Sequence, residues 1–384
     1  MAPFSPGKDW VATMTMPFID LAAQQRVLRE RLDAAICRVL DHGAYILGPE
    51  VAELESKLAG LVGRKHCVSC ASGTDALQIF LMAKGVGPGD RVVVPDFTFV
   101  ATAEAVCLVG AEPVFADVDP VSYALDLASV RQAWDLEGPP PVGVIAVDLF
   151  GHPARTAEIE AMVGGLGAWV LVDGAQSFGA QRGGRSSLSE GAAATTSFYP
   201  AKPLGGYGDG GAIFCDDEEL AGVMRSVSAH GYGDERYEHV RVGLTGRLDT
   251  LQAAILLVKL DVFADEVDRR QEVANRYSAS LDGLIETPMV EVDCRSVWAQ
   301  YTVQVDDRER VRDELLKDGV PTAVFYPQPL HEASAYRSAP VVPGGVTVTE
   351  RVSRRVVSLP MHPYLGDAEQ DQVVSALRKA LESL

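Results

Sequence analysis

The chain has 384 residues, 47% of them hydrophobic, and a formal net charge of −19. That length supplies a large core and suggests about two domains, while the acidic balance argues against a nucleic-acid partner, which needs surplus Lys and Arg. Gly and Pro are plentiful, 36 and 22, yet neither recurs with a period, so collagen-like and low-complexity chains are excluded.

A small anionic ligand stays open, because a few focused donors can outweigh a diffuse negative surface. The first residues, MAPFSPGKDWVATMTMPFID, hold no apolar run of signal-peptide length, and Lys8 and Asp9 interrupt them. No window approaches the length of a membrane-spanning helix. The expectation is a cytoplasmic protein with no membrane partner.

Residues 20–41 predict an amphipathic helix. Leu21, Val27, Leu28, Leu32, Ala35, Ile36, Val39 and Leu40 recur at spacings near 3.6, and Gly43 follows as a stop. Residues 50–61 predict a second, shorter helix. The Cys67–Cys70 pair is then a lone CxxC, with no second pair and no histidine at zinc-ligand spacing. Buried thiols are the commoner use of such cysteines, with zinc or redox chemistry as the alternative. No metal is expected.

Short apolar runs follow at Arg91–Val94, Pro113–Val118, Val142–Val147, Trp169–Val172, Thr195–Tyr199 and Gly211–Phe214. They are rich in valine, isoleucine and aromatics, and turn signals bound them. Helical patterns at Thr74–Lys84, Thr98–Val109 and Thr156–Leu166 lie between several of them. This alternation predicts an α/β fold with a mostly parallel sheet covered on both faces. Gly138–Pro141 and Pro340–Gly345 read as surface turns. From Asp249 to about Leu281 the pattern is strongly helical and long enough to bridge two domains. Trp298–Val305, Val311–Asp318 and Asp367–Leu384 then read as strand, helix and helix. The expected division is an N-terminal arm over 1–19, a large α/β domain over 20–255 and a smaller α+β domain over 256–384.

Three stretches can carry chemistry. Asp173 ends the run Trp169–Asp173, and ligands of open α/β sheets bind at the carboxyl ends of strands. Such a carboxylate is either a turn-former or a ligand partner. Gln176 lies three residues on, within reach of the same ligand. Ser72-Gly73-Thr74 sits between a strand-like run and a helix. It is either an anion cradle of hydroxyls and free N–H groups or an ordinary N-cap. Lys202 lies in Ser197–Gly211, SFYPAKPLGGYGDGG, between Pro200 and Pro203 and ahead of several glycines. Those residues restrict the backbone and allow close approach of a flat ligand. A lysine held away from water loses pKa and becomes a nucleophilic amine. Pyridoxal phosphate needs these three things together: a cradle for its phosphate, a carboxylate for its ring nitrogen and a lysine for its aldehyde.

At this point the chain resembles a known family. It looks like the fold-type I, pyridoxal-phosphate sugar aminotransferases of the DegT/StrS type, from about Pro17 to Tyr364. The stretches that carry the likeness are PFIDLAAQ, YILGPEVAELE, SGTDAL, VPDFTFVATAEAV, GAEPVFADVD, VDGAQSFGA, SFYPAKPLGGYGDGGAIF, GRLDTLQAAIL, YPQPLH and SLPMHPYL. Within the family it is most similar to 3-aminotransferases acting on UDP-linked 3-keto-N-acetylglucosaminuronic acid. The resemblance implies transfer of an amine from glutamate or glutamine to a nucleotide-linked keto sugar, in polysaccharide or natural-product biosynthesis. Two other readings stand beside it: a non-catalytic relative that binds a sugar nucleotide, and an aminotransferase acting on a keto-cyclitol.

The resemblance also assigns roles. Lys202 would join the cofactor aldehyde and move the proton. Asp173 would meet the ring nitrogen and Gln176 the phenolic oxygen. Ser72, Gly73, Thr74 and Ser197 would hold the phosphate, and Phe97 would stack on the ring. Arg247 would meet a carboxylate in bidentate fashion, or else form a structural ion pair. Tyr326 and His331 would line the sugar side, His331 alternatively being a core histidine. Family sites are shared across a homodimer, so Thr245 and Arg247 would reach the partner's pocket.

Four positions depart from the family pattern. Ser72 stands for asparagine, Ala201 for serine, Thr245 for asparagine and Phe325 for histidine. The first three trim polar groups around the cofactor. Phe325 replaces a polar group facing the sugar with an apolar wall, which bears on whether a uronate is read there.

Overall fold

A computed structural model describes residues 16–235 and 237–382 of the chain. Of the N-terminal arm expected over 1–19, residues 1–15 lie outside the described residues, as do the last two of the helix expected to reach Leu384. Helices α1 (Leu21–His42) and α2 (Pro49–Val62) lead into strand β1 (His66–Cys70). Strands and helices then alternate: α3 (Gly73–Ala83), β2 (Arg91–Pro95), α4 (Ala101–Leu108), β3 (Glu112–Ala116), α5 (Leu127–Gln132), β4 (Gly143–Val147), α6 (Thr156–Val163) and β5 (Trp169–Asp173). Short strands β6 (Gln181–Arg182) and β7 (Arg185–Ser186) precede β8 (Ala193–Ser197), β9 (Gly211–Cys215) and α7 (Glu218–Ser228). Helix α8 (Thr250–Leu281) leads to β10 (Cys294–Arg295), β11 (Tyr301–Gln304), α9 (Arg308–Lys317), α10 (Thr347–Arg355), β12 (Val356–Leu359) and α11 (Asp367–Glu382).

The main sheet has seven strands in the order β1-β9-β8-β5-β4-β2-β3. Strand β9 runs antiparallel to both of its neighbours, and the remaining pairs are parallel. The valine- and alanine-rich strands are buried on both faces, which is why they read as continuous apolar runs rather than alternating ones. Their carboxyl ends share one edge of the sheet, and there the site residues gather.

The caps follow ordinary chemistry. Asp20, Asp126 and Asp217 accept from first-turn N–H groups of α1, α5 and α7, and Gly43 and Gly63 end α1 and α2 in the left-handed conformation. The elements beyond the sequence reading are α5, α7, α10, β12 and the small β10-β6-β7 sheet. The last two strand pairs are only two residues long, too short to leave a periodic signal.

The 32-residue α8 joins two cores. Its first half packs Ala254, Ile255 and Val258 against Leu28, Leu32, Ala35 and Val39 of α1. Ala253, Leu256, Phe263 and Val267 face Phe198 and the sheet. Further on, Val273, Ala274, Tyr277 and Leu281 enter a separate cluster with β11, β12 and α11. Phe198 is fully buried between α8 and the sheet, and burial of a side chain that size stabilises by about 1.5–3 kcal/mol. It anchors the segment that carries Lys202.

Candidate active site

The register of β9 builds the first part of the site. Gly211 lies opposite Cys70 on β1 and opposite Ser197 on β8. A Cβ on Gly211 would stand 2.4 Å from the Ser72 carbonyl, so only glycine lets the three strand ends close up. Ser197 thereby abuts the start of α3: a Cβ on Gly73 would lie 2.7 Å from Ser197 Cβ and 3.2 Å from its Oγ. Ser72 is the N-cap of α3, its side chain accepting from Asp75 N at 3.0 Å. The N–H groups of Gly73 and Thr74 have no partner among the described residues. Free N–H groups, a helix N-terminus and the Ser197 hydroxyl thus converge. The two readings of Ser72-Gly73-Thr74, N-cap and anion cradle, are compatible: Ser72 caps, and its neighbours point outward.

Strand β5 delivers the carboxylate. Asp173 is buried at its last residue, beside Val147 of β4 and Thr195 of β8. Thr102 Oγ1 donates to Asp173 Oδ2 at 2.8 Å and Ala175 N donates to Oδ1 at 3.2 Å. Burial pushes the Asp173 pKa above the usual carboxylate range, while these two donors and the Lys202 charge pull it back. Lys202 responds in kind. Burial of its amine pushes its pKa down, and Asp173 resists that shift. Each charge thus favours the other, against the burial that opposes both.

Lys202 sits in a folded loop, its N–H donating to Tyr199 O at 2.8 Å. The glycines after it have a use that the sequence reading missed. A Cβ on Gly205 would stand 2.4 Å from Pro200 O, one on Gly206 2.8 Å from Gln252 Oε1, and one on Gly210 2.9 Å from Leu248 Cδ1. They let the loop pack on itself and on α8. Lys259, buried on α8, donates to Gly205 O at 2.7 Å and lies 4.2 Å from the centre of the Tyr207 ring.

Gln176 is fixed from both ends. Its Oε1 accepts from Phe150 N at 2.7 Å and its Nε2 donates to the Tyr326 hydroxyl at 3.2 Å. Burial holds that hydroxyl neutral, well above the ordinary tyrosine range. Phe97 is buried and meets the rings of Tyr123, Phe150 and Tyr326 at 5.8–6.4 Å. Phe325 precedes Tyr326 and lies 6.3 Å from the Phe18 ring. His331 is held by Asp96, whose carboxylate takes its backbone N–H at 2.8 Å and its Nδ1 at 2.6 Å. Asp96 is fully buried, a partner 235 positions away that no local pattern signals.

Thr245 and Arg247 stand slightly apart. Ala71 N donates to Gly246 O at 3.2 Å, which lays this segment alongside the cradle. Thr245 is exposed and its hydroxyl pairs with His230 Nε2 at 2.9 Å. Arg247 Nε is buried with no partner among the described residues. That orphaned donor does not fit the structural ion pair entertained for Arg247.

The CxxC cysteines are buried on β1, and burial pushes both thiols up. A looser His152–Glu291–Cys294 group lies elsewhere. There Arg155 and Arg182 already occupy Glu291, which leaves little negative charge for a cation. A groove of about 670 Å³ between α2, β6–β7 and α8 contains none of the expected site residues.

The donor set fits pyridoxal phosphate: a cradle that one Cβ would fill, a buried carboxylate and an amine coupled to it. Comparison with known proteins decides the family. The DegT/DnrJ/EryC1/StrS aminotransferase family matches residues 27–378. The chain belongs to that family. It is a pyridoxal-phosphate-dependent aminotransferase with the α/β fold of its class. A curated relative from Pseudomonas aeruginosa, UDP-2-acetamido-2-deoxy-3-oxo-D-glucuronate aminotransferase, is 51% identical over 361 residues, covering 94% of this chain and 99% of that one. A DegT DnrJ EryC1 StrS aminotransferase from Brucella abortus matches with a TM-score of 0.93 at 46% identity, over 95% of this chain and 99% of its own. DesV of S. venezuelae, solved in complex with a ketimine intermediate, matches with a TM-score of 0.91 at 37% identity, over 96% and 99%. Among the described residues no helix is long and apolar enough to cross a membrane.

Proposed function

We propose that this aminotransferase moves the amino group of glutamate or glutamine to a nucleotide-linked 3-keto sugar, with a UDP-linked 3-keto-N-acetylglucosaminuronate as the first candidate. The observation that supports this reading is a buried Asp173 electrostatically coupled to Lys202, beside the Gly73–Ser197 cradle, in a chain 51% identical to a relative named for that uronate.

Pyridoxal phosphate, when bound, supplies an aldehyde that accepts an amine and a ring that draws electrons from the carbon being deprotonated. Gly73, Thr74 and Ser197 would hold its phosphate, with Ser72 capping the helix behind them. Asp173 would hold the ring nitrogen, Gln176 the phenolic oxygen and Phe97 the ring face. Lys202 would take and return a proton at Nζ. Burial suits it to this work, because it favours the neutral, basic amine. Arg247 has an unused buried donor and would take a carboxylate; Tyr326 and His331 would line the sugar. We further propose a cytoplasmic homodimer in which Thr245 and Arg247 serve the partner's site, and a division into domains near residue 255.

The test is incubation of the purified protein with each amino donor and a panel of UDP-linked 3-keto hexoses, the 3-keto uronate and a keto-cyclitol. Mass spectrometry of the products reads the outcome. An aminated UDP-uronate is expected. An aminated cyclitol without any sugar-nucleotide product, or a colourless protein that glutamate does not change, overturns the reading.

A further inference from the structure

The mechanism above leaves a pair of buried hydroxyls unexplained. Thr98 and Thr102 are both buried, and their Oγ1 atoms are 3.2 Å apart. Thr102 stands in the first turn of α4 and its Oγ1 is 2.8 Å from Asp173 Oδ2. A threonine hydroxyl has one proton to give. While Asp173 is ionised it can only accept, so Thr102 must donate to it. Thr102 then has only lone pairs left for Thr98, and Thr98 must donate to Thr102. The ionised carboxylate thus fixes the direction of the whole chain: Thr98 to Thr102 to Asp173.

Protonation of Asp173 reverses it. The carboxylic acid gains an O–H that can donate to Thr102, and Thr102 can then donate to Thr98. In that order the Thr98 proton has no acceptor among the described residues, whereas the ionised order places every hydroxyl proton, so the pair favours the charge on Asp173. Only the ionised state suits a cationic ring nitrogen. Hydrogen bonds to a charged acceptor are about twice as strong as neutral ones, and donors in series polarise one another. The groups that act on Asp173 from other elements are Lys202 of the β8–β9 loop and Tyr326 of the loop before α10. Lys202 favours the ionised state, and burial of the site opposes it.

We propose that Thr102, backed by Thr98, is a positioning residue that holds Asp173 ionised and aimed at the cofactor ring nitrogen, and so tunes the electron-drawing power of the bound cofactor. The proposal rests on the reading of Asp173 as the ring-nitrogen partner. Sequence alone conceals it, because the threonines lie 71 and 75 positions from the carboxylate they serve.

The experiment uses the full chain, stripped of cofactor and titrated with pyridoxal phosphate. Cofactor Kd and the pH dependence of the bound cofactor's visible band are measured for wild type, Thr102→Val, Thr102→Ser, Thr98→Val, Asp173→Asn and Thr102→Val/Asp173→Asn. Thr102→Val removes the hydroxyl and keeps the shape. It is expected to weaken cofactor binding about tenfold. Losing a donor that favours the charged carboxylate raises the Asp173 pKa, so binding and the band should fail at higher pH than in wild type. Thr102→Ser should restore both to within about threefold, and Thr98→Val should shift them in the same direction by less. In the Asp173→Asn background Thr102→Val should change Kd less than twofold, since no charge remains to hold. Equal effects of Thr102→Val with and without Asp173, or failure of serine to rescue, overturn the relay. An Asp173→Asn protein with wild-type Kd and band would instead overturn the reading of Asp173 itself.

Discussion

The two sides of the active site are built differently. On the cofactor side, Gly73, Asp173 and Ser197 sit at strand and helix ends that the sheet register holds together. Asp173 has two donors and Ser72 caps α3, while the N–H groups of Gly73 and Thr74 are without a partner among the described residues. On the side proposed for the sugar, Arg247, Phe325 and Tyr326 lie in loops and His331 in a short 3-10 turn. There Arg247 Nε is buried with no partner among the described residues, and the Phe325 ring packs near Phe18. The contrast is one of anchoring. A group anchored at a strand end moves only if the sheet moves, whereas a loop side chain can be exchanged alone.

The sharpest way to break this contrast is Lys202→Ala. It should lower turnover by roughly 10²–10⁴-fold or more and leave the cofactor unable to be fixed to the protein by borohydride. Single-turnover absorbance and intact mass together check it, and a variant that keeps turning over would remove the lysine from the chemistry.

Arg247→Ala tests the other side. Losing a charge-assisted pair costs about 1.5–3 kcal/mol, roughly 10–100-fold in KM for the carboxylate-bearing ligand. Arg247→Lys should recover little, because lysine lacks the planar fork. Unchanged KM for both donor and sugar in steady-state kinetics would make Arg247 structural.

A pair of glycine substitutions measures how tightly the cofactor side is packed. Gly73→Ala pushes a methyl to 2.7 Å from Ser197 Cβ and should cost about 1–3 kcal/mol, together with weaker cofactor binding. Gly60→Ala in α2 meets nothing within 4 Å and should stabilise by about 0.4–1 kcal/mol. Urea unfolding of the apoprotein reads both. Equal effects would mean that the cradle is looser than its register implies.

The smallest effect belongs to the seam between the two sides. His362 is buried in a small cavity beside Lys202, Glu266 and Arg270, with neither ring nitrogen partnered among the described residues. Burial, then the Arg270 charge, push its pKa from 6.5 down to about 4. Between those values the unfolded chain binds the proton that the folded chain refuses. Stability should therefore fall as pH drops from about 6.5 towards about 4. His362→Gln should flatten that slope in melting curves taken across the window. An unchanged slope would assign the acid sensitivity to other groups. Asp148, raised to about 6 by burial, acts in the opposite sense and sets the background.

Much of this molecule was legible in its sequence. The apolar runs placed six strands of the main sheet within a residue or two, because doubly buried parallel strands leave an unbroken hydrophobic signature. The amphipathic period placed α1 and α8 for the same kind of reason. The motif residues Ser72, Asp173, Gln176, Ser197 and Lys202 could be named in advance, since strand-end and loop chemistry is local. Position alone left Ser72 and Asp173 with two readings, and the tertiary structure decided which neighbours all five have. It turned Ser72 into the cap and left Gly73 and Thr74 with free N–H groups. It gave Asp173 its Thr102, His331 its Asp96 and Gln176 its Tyr326, pairs separated by 71, 235 and 150 positions. It also showed what the glycines after Lys202 pack against: Pro200, Gln252 of α8 and Leu248. A periodic pattern reports what one element does with its own residues. Hydrogen bonds across a sheet edge depend on strand order and register, and those are properties of the folded chain as a whole.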